Sequence, residues 1–219
     1  MSSLDFLHNV SNDELEILAD MLRDKGGITS ILNEKNYYSN KSEYVDKIIN
    51  ELLDYGSNTF WFQKSYNTIL EDVCDKMDVD YYSADSEEEK ENKLLGKVSS
   101  DLWNEMSDEG RRALLESMNE SANVVRSGTP SIFAAIFRAG GFKSYQLSLT
   151  VANAFAKFVL GRGLSLGLNA ALARALSFLS GPLGILMTVW TGIQFAGPAY
   201  RVTVPAVTYI AALRRIKKG

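Results

Sequence analysis

Apolar residues recur at three- and four-residue spacing from the start of the chain: Leu4, Leu7 and Val10, then Leu15, Leu18, Met21 and Leu22. Ser11 precedes the second group as an N-cap and Glu14 stands three residues on as its capping-box partner. The pattern predicts a helix from Asn12 to Asp24, ended by Gly26-Gly27. Amphipathic runs of the same period follow over about 28–36, 42–54, 64–77 and 87–104. Ser107 and Gly110 mark a break, after which a further helix is predicted from Arg112 to Asn123. No stretch sustains period-two alternation, so almost no sheet is expected. The expected class is all-α.

The second half reads differently. Gly128, Pro130, Gly140 and Gly141 punctuate its entry, and a helix is predicted from Ser144 to Leu160, broken by Gly161-Arg162-Gly163. Leu164, Leu168, Leu172 and Leu176 then share one helical face, Gly181-Pro182 turns the chain, and Leu183 to Ala196 is apolar nearly all round, with Leu186, Trp190 and Phe195 its large side chains. This predicts a hydrophobic helical hairpin. Between Arg174 and Arg201 lie 26 residues without a charge. Pro182 argues against one straight membrane span, and the piece after it is only about 15 residues, roughly 22 Å of helix against roughly 30 Å of hydrocarbon. Gly184, Thr188, Gly192 and Ala196 place a small residue at every fourth position, a stripe that lets another backbone approach closely, in a membrane or in a soluble bundle.

Charge separates the halves more sharply than hydropathy does. All 27 acidic residues fall at or before Glu120, alongside twelve Lys or Arg; the 99 residues after it carry eleven Lys or Arg and no acid. Eleven of the 16 glycines and all four prolines also lie there. The expected organisation is therefore an acidic soluble helical bundle, residues 1–127, followed by a basic, Gly/Ala-rich hydrophobic region, residues 128–219. An anionic membrane surface favours cations and penalises carboxylates, so Arg162, Arg174, Arg201, Arg214, Arg215, Lys217 and Lys218 read as interfacial cations and anionic lipids as the expected partner. The alternative is that the basic half docks onto the acidic half and buries the hairpin as its own core. Nucleic acid is not the expected partner, because the residues between these cations are Leu, Ala, Phe, Val and Gly rather than polar.

No catalytic, cofactor or metal site emerges. His8 is the sole imidazole and Cys74 the sole thiol, which excludes an internal disulfide and the usual zinc sets. Cys74 lies in an apolar-periodic run with Ile69, Leu70, Val73 and Met77, where a buried, inert thiol is expected. The acid run from Asp78 to Glu91 fails as an EF-hand loop, since Tyr82 takes a ligand position and Ser83 the obligatory glycine. Gly161, Gly163 and Gly167 lack a preceding strand, and no P-loop triplet occurs. Tyr55, Phe60, Trp61, Phe62 and Tyr66 form an aromatic cluster suited to helix packing. The start of the chain lacks the basic and apolar regions of a secretory signal, so the expected location is the cytoplasm, peripheral to or inserted in the inner membrane.

Several stretches resemble the YaaW-type family of bacterial proteins: Leu4 to His8 with Glu14-Leu15, Gly56 to Thr59, Ile69 to Val73, Trp103 to Met106 with Glu109, and Ala199 to Ala206 followed by Ile210 to Arg215. The last is the most specific, with Tyr200, Arg201, Thr203 and Pro205 at fixed distance before Leu213-Arg214-Arg215. The resemblance spans nearly the whole chain and implies no catalytic residues. Through a distant relation to the ubiquinol-cytochrome c chaperone group it implies a helical assembly factor acting near a membrane. Two functions are thus expected: a non-enzymatic protein that associates with or inserts into a membrane through its C-terminal hairpin, in a stronger form pore-forming, or a soluble chaperone-like protein with the hairpin as core. In either, a protein partner or a second copy of the chain is compatible.

Overall fold

The computed structural model describes residues 3–23, 40–57, 63–119, 128–160, 170–178 and 198–218. Among them the chain is all-helical and has no strand. A 3-10 turn, Asp5–Asn9, is followed by α1 Asn12–Leu22, α2 Lys41–Ser57, α3 Tyr66–Lys76, α4 Glu87–Glu105, α5 Asp108–Ser117, α6 Pro130–Ala139, α7 Gly141–Leu160, α8 Ala170–Phe178 and α9 Pro198–Lys218.

The two halves start their helices by different chemistry. In the acidic half Ser11, Ser65, Ser86 and Ser107 each accept a hydrogen bond from the backbone N–H three residues on. Each such cap is worth about 1 kcal/mol. Beyond residue 127, Thr129 gives no side-chain cap to α6, which begins instead with Pro130, whose missing N–H needs no partner in a first turn. Gly140 and Gly141, at φ 70° and 71°, separate α6 from α7 in a conformation that disfavours any side chain.

α4 and α6 run antiparallel. At one end Arg138 pairs with Glu89, and at the other Ser100 Oγ donates to Gly128 O at 2.5 Å and the Trp103 and Phe133 rings lie 6.0 Å apart. Gly96 marks the close approach between them: a Cβ there would stand 2.7 Å from both Ala134 N and Pro130 O. α8 packs along α5, and α7 against α9.

Residues 146–156 of α7 and 202–213 of α9 are buried at every position, so both helices are enclosed on all sides rather than on one stripe. One hydrophobic core runs from Leu4 to Leu213, across the boundary at residue 127. The polar members of α7 are satisfied within the helix: Ser148, Thr150 and Asn153 donate to the carbonyls four residues back. That back-bonding lets an all-round buried helix carry hydroxyls and amides without a partner elsewhere.

Three element expectations change. α5 begins at Asp108, not Arg112, because Ser107 is its N-cap and Gly110 lies inside it. The punctuation at Pro130 and Gly140 brackets a helix, α6, rather than an irregular entry. α9 was not anticipated, since it contains Pro205; a proline at a helix interior costs about 3 kcal/mol, which the burial of twelve consecutive residues offsets here. The predicted helix at 28–36 and the larger part of the hairpin lie outside the described residues.

Candidate functional site

The chain's densest cationic run meets its densest acidic run. The last two turns of α9 carry Arg214, Arg215, Lys217 and Lys218, and the first two turns of α4 carry Glu87, Glu88, Glu89 and Glu91. Arg214 Nε donates to Glu91 Oε2 at 2.7 Å, and its Nη1 donates to Ser3 O at 2.7 Å. Its guanidinium lies 4.4 Å over the Phe6 ring. Arg215 Nη2 and Lys218 Nζ both donate to Glu88, each at 2.8 Å. Lys217 Nζ is 2.9 Å from Glu14 Oε2, on α1. Three carboxylates thus hold four cations, and the end of α9 is fastened to α1, α4 and the N-terminal turn.

The centre of this clasp is dry. The Glu91 side chain is 1% exposed and that of Arg214 13%. Tyr66 OH donates to Glu91 Oε1 at 2.8 Å, so both carboxylate oxygens have a donor. Burial pushes Glu91 above the usual carboxylate range, with Arg214 and Tyr66 opposing it. Burial also pushes the Tyr66 phenol well up, which keeps it a neutral donor. For Glu14 burial is likewise the largest influence, but Ser11 and Lys217 together outweigh it and hold the carboxyl below its ordinary value. Glu88, more exposed, is lowered by the hydrogen bond from Lys218. Arg214 Nη2 and Arg215 Nε are buried without an acceptor.

Beside the clasp, Lys90 is 1% exposed and donates to Glu71 Oε1 at 2.6 Å and Asn67 Oδ1 at 3.0 Å, with the Tyr81 ring 5.6 Å away. Cys74 is buried in α3 and its thiol is pushed up to about 12 by burial, far from a reactive thiolate. His8 Nε2 lies 3.7 Å from Asp46 Oδ1. Asp85 is bound by Lys93 at 2.6 Å and accepts from Tyr82 N at 2.9 Å within the loop before α4. Among the described residues no group of three or more His, Cys, Asp or Glu is placed to hold a metal ion.

The other predicted site residues are dispersed. Leu172 is buried and Leu176 half-buried on α8, next to α5. Arg174 is exposed and pairs with Glu116 at 3.1 Å. Leu164, Leu168, Leu183, Leu186, Trp190 and Phe195, the stripe Gly184, Thr188, Gly192 and Ala196, and Arg162 lie outside the described residues. Of the motif residues, Tyr200 lies with Lys76 Nζ 5.7 Å over its ring, Arg201 is exposed, and Thr203 and Pro205 are buried in α9. Sequence reasoning missed Glu14, Glu88 and Glu91 as partners of the terminal cations. The signal was the match of one acidic run to one basic run.

Among the described residues no helix is long and apolar enough to cross a membrane. No family model and no solved structure matches the chain. Curated relatives do. A UPF0174 protein of Helicobacter pylori strain J99 is 40% identical over 227 residues, covering 96% of this chain and 90% of the relative. Another from the same strain is 34% identical over 88% of this chain and 98% of its own length. The UPF0174 protein YaaW of Escherichia coli K12 is 27% identical over 98% of this chain and 94% of its own. With that identity sustained across nearly the full length of both chains, the protein belongs to the UPF0174 family.

Proposed function

We propose that this is a non-enzymatic helical protein that attaches to the inner membrane from the cytoplasmic side through its acid-free half. The observation that carries the reading is the placement of charge. Between Arg174 and Arg201 run 26 uncharged residues, while the four terminal cations are taken up by Glu14, Glu88 and Glu91. Cations held in ion pairs have little left to offer lipid headgroups, so the attachment is assigned to the uncharged stretch, with Leu183, Leu186, Trp190 and Phe195 as its apolar contacts. Apolar contacts of this kind resist salt, unlike surface attraction.

Flotation of the full-length protein with vesicles tests this. The protein is expected to float and to stay bound at high salt, and Leu186→Asp to abolish flotation while the helical content persists. Protein that remains at the bottom of the gradient overturns the reading. Leakage of a trapped dye would extend it to pore formation.

A second reading is favoured by one specific observation. α7 and α9 are enclosed on all faces and the clasp closes α9 onto the acidic half, as in a soluble assembly or chaperone-like protein whose hydrophobic half is its own core. It predicts a protein soluble without detergent that ignores vesicles and engages another protein or a second copy of itself.

A further inference from the structure

The wet faces of the helices are not alike. On α4 and α5 the positions that reach solvent carry both signs: Glu87, Lys93, Lys97 and Asp101, then Asp108, Glu109, Arg112 and Glu116. On α6 they are Ser131, Ala135 and Ala139, flanked by half-buried Ile132 and Ile136, with Arg138 the single charge. The chain then turns through Gly140-Gly141 and presents Phe142, half exposed at 50%, and Lys143. Among the described residues only Tyr82 and Phe142 are large apolar or aromatic side chains left exposed, and Tyr82 is covered by the Lys93 ammonium 4.8 Å above its ring.

A helix face in water ordinarily carries charges of both signs, and this one carries Ala and Ile beside an exposed phenylalanine. The charge nearby is of one sign within the face itself. Arg138 shares its guanidinium between Glu89 and solvent, Lys143 is exposed, and no residue after Glu120 is acidic. A surface that is weakly apolar, ends in an aromatic ring and offers cations but no carboxylate complements an anionic headgroup layer.

We propose that the outward face of α6, with Phe142 and Lys143 at the start of α7, lies against the headgroups of an anionic bilayer. This deepens and rests on the membrane reading above: the uncharged stretch attaches the protein and the α6 face orients it and selects anionic lipid.

The test is flotation of the full-length protein on phosphatidylcholine vesicles with and without about a quarter phosphatidylglycerol. The altered positions are exposed, so far-UV dichroism and melting should match the parent. Phe142→Ser is expected to weaken partition onto the anionic vesicles about fivefold, through loss of ring burial. Ala135→Glu is expected to weaken it and Ala135→Lys to strengthen it, the two converging on phosphatidylcholine alone. If the parent floats and all three variants float equally well, the α6 proposal is overturned while the membrane reading stands. If the parent floats on neither vesicle, both are overturned. If light scattering shows a dimer that Ala135→Glu dissociates, a second copy covers the face and the lipid proposal is wrong.

Discussion

Glu14 Oε2 accepts from Ser11 N at 2.9 Å and Ser11 Oγ at 2.6 Å and lies 2.9 Å from Lys217 Nζ, so one carboxylate oxygen closes the first turn of α1 and holds the last turn of α9. Glu14→Ala removes both functions and is expected to cost about 2 kcal/mol, a cap plus a partly buried charge contact. Lys217→Gln removes only the second and, with the lysine side chain 35% exposed, is expected to cost less than about 1 kcal/mol. Urea unfolding of the two variants checks the order.

The buried pair answers differently to single and double substitution. Arg214→Met leaves Glu91 charged in a dry site, and Glu91→Leu leaves Arg214 so; each is expected to cost about 3 to 5 kcal/mol. The double variant Glu91→Leu, Arg214→Met leaves no unpaired charge and should be far less destabilised than the sum. A double-mutant cycle by chemical denaturation measures the coupling.

Acidity acts on the clasp with two signs. Glu88 and Glu14 are held below their unfolded values, so the stability they contribute is present at neutral pH and lost as pH falls through their folded values. Glu91 is held above its unfolded value, so its ionised form costs stability at neutral pH and that cost is relieved on acidification. Glu88→Gln should therefore make stability rise less steeply with pH across the carboxylate range, about pH 3 to 6, and Glu91→Gln should make it rise more steeply. Equal slopes for the two variants, from unfolding free energies measured over that range, would contradict the assignment.

Gly96→Ala tests the α4–α6 contact. The added Cβ would meet two backbone atoms at 2.7 Å, and backbone cannot move aside as a side-chain end can. The expected loss is about 1 to 3 kcal/mol despite the better helix propensity of alanine, read as a lowered melting temperature.

The acidic half was legible because its signals are local. A serine cap acts three residues away and an amphipathic stripe repeats within a turn, so α1 to α4 were anticipated to within a few residues of their observed ends, from Ser11, Ser65 and Ser86 onward. α6 was missed although Pro130 and Gly140 are themselves start and stop signals; they were taken as loop punctuation because the helix between them has only ten residues.

By itself the sequence determined the all-helical class, the segregation of charge and the absence of an evident catalytic set, since each depends on composition and short-range spacing. Tertiary structure decided the rest. α9 carries Pro205 and the β-branched Val202, Thr203, Val204, Val207 and Thr208, and it is a helix because enclosure on every side outweighs their local preferences. The pairing of Arg214 with Glu91 spans 123 positions, and no local rule relates residues so far apart. Only packing brings them together, and once water is excluded each charge requires the other.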